Sequence, residues 1–267
     1  MERDTLLEGR INDLSKRAYN NDYLTHTNFL SASDISMFYS ILRSLGLSDQ
    51  VQKLNGVPFR IYGGHPDADR NVICFLPSYF SPEDFISLES ATGDIIKCIH
   101  ITPLNSKFAD ELTHRDFLGA LMNMGIEREM IGDILIDGND AYVFVVNDIA
   151  EIISKELCRI KHTSVSCSIV IPSECNVLPK FTHVSGSVAS CRIDAIIAMV
   201  YHMSRGKSQD YINAEKVFVD GRIISDPGYT LKPGERISVR GIGKFIFSGI
   251  GPKTKKGRFY AEIEIFT

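Results

Sequence analysis

The residues best placed to do chemistry in this chain are cations. Arg192, Arg205 and Lys207 fall at the starts of two short helical patterns, where free backbone N–H groups and a positive dipole end favour an anion. Together they make a ready phosphate site. Further on, Arg236, Arg240, Lys244, Lys253, Lys255, Lys256 and Arg258 occur without an intervening acid. A charge run alone is more often a solvated surface. This one, however, belongs to a segment, residues 183–267, that holds 13 basic and 8 acidic residues, whereas residues 1–182 hold 16 and 25. The net charges, +5 and −9, sum to the −4 of the whole chain, so an acidic protein carries a basic end suited to a polyanion. His65-Pro66-Asp67-Ala68-Asp69 alternates imidazole and carboxylate as some metal sites do. A functional metal needs three or four ligands with supporting partners, and the other histidines form no second cluster. A turn with solvated carboxylates is expected there, with no metal and no other cofactor. The six cysteines are scattered, without a Cys-x-x-Cys pair, which argues against a zinc cage or a disulfide framework and for reduced, mostly buried thiols.

His114-Arg115-Asp116 matches the catalytic-loop triplet of protein kinases, but it starts a helix and lacks the downstream Asn and the Gly-rich loop. Its role is to touch RNA or to lock the helix to its neighbours. Gly241-x-Gly243 and Gly249-x-Gly251 have the wrong spacing for a dinucleotide fingerprint and instead permit tight turns or close backbone approach. No apolar run approaches the roughly 18–20 residues of a membrane span. The start mixes acidic and basic side chains, unlike a secretory signal. A cytoplasmic protein with no membrane span is expected.

Several elements must position these groups. Residues 1–55 read as helical, with Leu6, Leu7, Ile11 and Leu14 at helical spacing and a Ser-Ala-Ser-Asp run ending at Asp34 that opens a helix closed at Gly46. Pro58–Tyr62 and Asn71–Leu76 read as strands around a turn at Gly63-Gly64-His65-Pro66, and this N-terminal part ends near Gly93. The next stretch runs Ile95–Ile101 (strand), a helix from Thr113 with Asp116 as an approximate capping box, and strands Ile134–Ile136 and Tyr142–Val146 around Asp137-Gly138-Asn139-Asp140. A helix from Asp148 and a strand Ser164–Ile171 follow. This β-α-β-β-α-β order is the ferredoxin-like plan, shared with the RNA-recognition fold. Tyr142 and Phe144 lie on its third strand, where such domains display stacking aromatics, yet core packing is expected for at least one of them. Pro172–Ser190 reads as a linker. From Cys191 come two helices, the second capped by Ser204, then strands at Val217–Val219 and, last, Arg236–Arg240. As exposed charges, Arg205 and Lys207 are expected to contribute little to stability.

Here the residues carry a resemblance. Arg192-Ile193-Asp194, Ser204-Arg205-x-Lys207-x-Gln209, Ile212-Asn213-x-x-x-Val217-x-Val219-Asp220-Gly221 and Pro233-Gly234-Glu235-Arg236-Ile237-Ser238-Val239 resemble the S-four (S4, αL) domain, the RNA-binding module named after the fourth small-subunit ribosomal protein. The resemblance implies that Arg192, Ser204, Arg205, Lys207 and Lys216 lie on an RNA-contacting face. To these the hairpin and basic block add Arg222, Arg240 and Lys244. Asp220 stands where that family usually has Asn, which leaves one backbone-side contact open. Upstream, His114-Arg115-Asp116-Phe117-Leu118-Gly119-Ala120-Leu121, Gly125-Ile126-x-Arg128, Ile131-Gly132-Asp133-Ile134 and Gly63-Gly64-x-Pro66-x-Ala68, together with Arg240-Gly241-x-Gly243-Lys244-Phe245, are similar to YlmH-type proteins.

The resemblance implies an α+β protein of three domains: a mixed α/β N-terminal domain over 1–92, an RRM-like middle domain over 93–181, and an S-four domain with a basic extension over 182–267. It also implies a non-catalytic protein that associates with rRNA and tRNA on the large ribosomal subunit, in rescue or quality control of stalled translation. Quality-control or cell-division proteins are further possible partners. S-four domains also accompany RNA-modifying enzymes, but a synthase needs a catalytic domain, a methyltransferase a Gly-rich cofactor loop and a synthetase an ATP signature, and none is visible. An RNA-modifying enzyme and a cell-division-linked scaffold are the competing readings.

Overall fold

A computed structural model describes residues 2–47, 53–66, 68–175, 177, 181–253 and 257–266. Asp67, Lys255 and Lys256, singled out above, lie outside the described residues. The chain divides into two compact units, Met1–Leu178 and Pro179–Thr267.

The first unit opens with helix α1 (Glu2–Asn21), a short strand β1 (Thr25–His26) and α2 (Ala32–Ser44). Ser31 caps α2 and Asp34 completes a reciprocal capping box, so the run noted in the sequence does start a helix. Strands β2 (Lys53–Leu54), β3 (Val57–Tyr62) and β4 (Val72–Phe75) join β1 in an antiparallel sheet ordered β1-β4-β3-β2. Residues 1–55 are therefore not wholly helical: β1 and β2 interrupt them. A helix α3 (Pro82–Thr92) follows, which the apolar pattern did not indicate. Its signals are local instead, with Ser81 as N-cap, Pro82 in the first turn and Gly93 in the left-handed conformation at the end.

The middle stretch follows the expected order. It runs β5 (Ile96–Pro103), α4 (His114–Asn123), β6 (Ile131–Asp137), β7 (Asp140–Val146), α5 (Asn147–Glu156), a short added strand β8 (Arg159–Ile160) and β9 (Thr163–Val170). The sheet order β6-β7-β5-β9-β8 places the first and third strands centrally, as the ferredoxin-like plan requires. Asp137 pairs with Asp140 across the Gly138-Asn139 turn, with Gly138 at a positive φ. The triplet at 114–116 locks its helix: Asp116 accepts from the Thr113 backbone N–H at 2.8 Å and pairs with Lys161 at 2.7 Å.

The segments 1–92 and 93–181 share one hydrophobic core. Phe29, Tyr62 and Val72 from the first are buried with Cys98, Ile99 and Phe144 from the second. The Gly63–Arg70 loop makes the junction. The His65 ring lies 4.9 Å from that of Phe144, and its Nε2 is 3.1 Å from the Asp133 carboxylate, which also accepts from the backbone N–H groups of Asp69 and Arg70. The Arg70 guanidinium donates to the carbonyls of Phe29 and Ile131. His65 is thus bound into protein packing, and no group of three potential metal ligands occurs among the described residues.

In the second unit, β10 (Phe181–Val188) corrects the linker reading of 172–190. It precedes α6 (Ile193–Val200), α7 (Arg205–Asn213), β11 (Val217–Val219), β12 (Arg222–Ile223) and β13 (Arg236–Val239). Nor is β13 the last strand: β14 (Gly243–Lys253) and β15 (Phe259–Phe266) complete a sheet ordered β10-β15-β14-β13-β11-β12. β10 reads as a linker because Ser185, Gly186 and Ser187 give it little apolar pattern; it is held by pairing with β15 along its full length. Gly186 faces Met199, whose sulfur an added Cβ would approach to 2.4 Å. The register slips between Phe247 and Gly249, where Gly249 has φ +143°, so the paired glycines serve a bulge. Ile193, Ile196 and Ile197 pack with Ile237, Val239 and Phe245 in this unit's own core.

Gly64 is the sharpest test of the junction. It has φ +94°, and an added Cβ would lie 2.3 Å from the Phe144 ring. Gly64→Ala should cost about 2–4 kcal/mol, through backbone strain and overpacking. Gly119 in α4 has nothing within 4 Å of such a Cβ, so Gly119→Ala should be neutral or stabilising by up to about 1 kcal/mol. Chemical denaturation of both variants checks the pair.

Candidate nucleic-acid interface

The interface is organised by an acid. The Asp194 side chain, on the first turn of α6, is wholly inaccessible to solvent. It receives Arg205 Nη2 at 2.7 Å, Gln209 Nε2 at 2.8 Å and Arg192 Nε at 3.3 Å, while its backbone carbonyl takes the Ser208 hydroxyl at 2.7 Å. Burial by itself raises the Asp194 pKa, but the hydrogen bonds from Gln209, Arg205 and Arg192 outweigh it and hold the carboxyl below its ordinary range. One carboxylate thus ties the start of α7 to the start of α6. The Arg192 and Arg205 side chains remain 43% and 53% exposed while the carboxylate fixes the orientation of their guanidiniums. Arginine suits this double duty, because its planar fork offers five donors.

Around this clamp the residues expected to meet RNA occupy several places. Ser204 is the N-cap of α7, its Oγ accepting from the Lys207 backbone N–H at 3.2 Å, and the exposed Lys207 side chain stands on the same first turn. Lys216 is exposed with its ammonium 5.8 Å from the Tyr211 ring, and its carbonyl accepts from the Arg240 backbone N–H at 2.8 Å, which makes the two cations neighbours. Arg222 is exposed on β12, opposite Val219. Lys244 stands apart. It pairs with Ser238 in register, on the sheet face opposite the buried Ile237, Val239 and Phe245, and its ammonium lies 5.3 Å from the Phe266 ring. Arg236 shares that face, 5.7 Å from the same ring. The structure therefore brings Arg192, Ser204, Arg205 and Lys207 together at the helix starts and sets Lys244 on the other side of the sheet.

Asp220 takes the turn position itself. It adopts φ +47°, a conformation Asp tolerates better than most residues, and its carboxylate accepts from the Arg236 backbone N–H at 3.0 Å. The clamp also corrects the expectation for Arg205. Its guanidinium neutralises a buried carboxylate, so it bears on stability as well as on charge.

Comparison with known proteins matches two stretches of the chain. The family model described as "Putative RNA-binding domain in YlmH" matches residues 95–173, and the S4 domain model matches residues 191–237. The chain is 28% identical over 206 residues, 76% of each protein, to "Ribosome-associated protein quality control protein P2" of Bacillus subtilis (strain 168). Among solved structures, "Cell division protein ylmH from Streptococcus pneumoniae" aligns with a TM-score of 0.46 at 22% identity, over 64% of this chain and 92% of that one. The chain carries an S4 domain and an RNA-binding domain of the YlmH type, in an α+β protein. Among the described residues no helix is long and apolar enough to cross a membrane.

The clamp separates two cations of the same patch. Lys207→Ala should change unfolding free energy by less than about 0.5 kcal/mol, whereas Arg205→Ala, which strips a charged partner from Asp194, should cost about 1–3 kcal/mol. Because the Asp194 carboxyl is depressed in the folded state, its stabilisation is fully present above the unfolded value of about 3.9 and is lost as pH falls below that value through the folded one. Asp194→Asn should flatten that acid limb, and denaturant titrations across pH read it directly.

Proposed function

We propose that this chain is a non-catalytic cytoplasmic protein that holds rRNA and tRNA on the large ribosomal subunit during rescue of stalled translation. The observation that carries the reading is the pair of guanidiniums held at two helix starts by one buried carboxylate, beside Lys207, inside the segment matched by the S4 domain model. Such a fork recognises a phosphate backbone by position and charge and leaves the RNA bonds intact. Arg192, Arg205, Lys207, Lys216, Arg222 and Arg240 supply the phosphate contacts in this reading. Ser204 acts by holding the α7 start in shape, and Lys244 contributes from the other sheet face. The ribosomal setting follows the name of the Bacillus subtilis relative. The first unit, being acidic, then orients through shape or protein contacts and not through bare phosphate.

Sedimentation of the tagged full-length chain with ribosomal particles tests the proposal. It should travel with large subunits, more with those bearing peptidyl-tRNA than with empty ones, and RNA crosslinks should map to peptides carrying residues 192–216. If about four to six phosphates are neutralised, the logarithm of affinity should fall with the logarithm of salt concentration at a slope of roughly −3 to −5. Lys207→Ala should lower the magnitude of that slope by about one. A flat salt response, or equal binding by the variant and the original chain, overturns the electrostatic account. New methyl groups or base isomers on rRNA that depend on the protein would instead favour an RNA-modifying enzyme.

A further inference from the structure

The β5–β9 sheet of the first unit is covered on one row and partly open on the next. In the covered row Phe144 pairs with Cys98, which pairs with Val170; both Phe144 and Cys98 are fully buried, under His65 and beside Cys175. One step along, Leu135, Tyr142, His100 and Ser168 line up across four strands in direct register, and therefore share that face. Among the described residues the covering thins here. Tyr142 is half-buried, the His100 side chain is 24% exposed, and Ser168 and its strand neighbour Ser166 on the same face are exposed. The two rings stack face to face, with centroids 4.3 Å apart and planes 8° from parallel, and Asp140 fixes the imidazole through a 3.1 Å contact to Nε2.

We propose that the His100–Tyr142 stack is a platform for one unpaired RNA base. The proposal rests on the RNA-binding reading above and names how the domain over 95–173 takes part in it. That stretch holds seven basic and eleven acidic residues, so it gains little from phosphate and must use another term. Stacking is such a term, because every base has a π-face and the attraction does not depend on neutralising the backbone. The groups at the rim fit base edges. The Asp140 carboxylate accepts from an exocyclic amino group such as cytosine N4–H₂, while Ser166 and Ser168 donate or accept. A duplex keeps its bases stacked internally and offers this surface nothing, so the platform selects single strands.

The test uses the full chain with two probes, an oligocytidylate of about ten nucleotides and a blunt RNA duplex. The double variant His100→Ala/Tyr142→Leu should lose about ten-fold in affinity for the single strand and keep its affinity for the duplex. Tyr142→Phe, which preserves the ring face, should bind as the original does. Lys207→Ala should weaken both probes. On the unaltered chain, ultraviolet crosslinks from a halogenated oligocytidylate should map to His100 or Tyr142, a readout that no folding defect can mimic. An original chain that binds neither probe overturns the RNA-binding reading and the platform together. Single-strand binding that survives the double variant, or crosslinks confined to the second unit, overturns the platform alone and points to a protein partner for that face.

Discussion

A carboxylate removed from water must be met by donors, and the second unit is arranged around meeting one. Asp194 lies on the first turn of α6 with no solvent access, and its ionised form persists there because Arg192, Arg205 and Gln209 converge on it. That requirement ties the start of α7 to the start of α6, and Ser204 caps α7 directly before Arg205, which reaches back to the carboxylate. With the helix pair set, Ile193, Ile196 and Ile197 meet the sheet on one face, and the cations are left on the rim. Two cations of the patch, Arg192 and Arg205, are thus placed by neutralising a buried acid. Replacing the arginines by lysines would keep the charge but lose the fork that serves carboxylate and solvent side at once.

The first unit is governed by a steric constraint instead. Gly63 and Gly64 let the chain pass against its neighbours where a side chain would collide with Ala68 or with Phe144, and Asp133 collects the imidazole and two backbone N–H groups of the loop that follows. Gly64 and His65 of this loop cover Phe144 on a sheet face that is open in the general plan. This cover also explains why two similar aromatics on one strand have different fates: Phe144 lies under it and Tyr142 just beyond it.

Much of this was legible in the sequence, and the failures share a cause. Where a segment's own chemistry decides its structure, reading it works: the helix start at Ser31–Asp34, the Asp137–Asp140 hairpin and the Ser204 cap all stand as the residues indicate. The expectation that at least one of Tyr142 and Phe144 packs in the core also holds, with Phe144 fully buried. Where distant partners decide, the pattern is silent. β10 has alternating polar residues and a glycine and becomes a strand only because β15 offers a full ladder of partners. β14 is broken by glycines that look like loop signals but serve a bulge. The Asp194 clamp was half visible. In one dimension the Arg-Ile-Asp and Ser-Arg motifs offer a phosphate site and nothing more, because no such pattern reports that residues eleven and fifteen positions away return to the same carboxylate.

The three strands outside the S4 match change what that module offers. The match ends at residue 237, yet β14 and β15 continue the sheet and β10 precedes it. A two-helix module with a few short strands has little interior and is marginal alone. Here Phe245, Phe247, Ala261 and Ile263 extend its core, so the helix starts are carried by a larger sheet. A rigid base matters for phosphate recognition, since a fork whose support moves must first be ordered, and that cost is subtracted from binding. Cations on a firm support and an acidic first unit then act with opposite sign on any bare polyanion. The basic end attracts phosphate irrespective of sequence, while the acidic remainder penalises RNA that offers nothing but phosphate. Selectivity in such a chain has to come from features that the acidic unit can tolerate, namely exposed base faces, base-edge donors and protein surfaces.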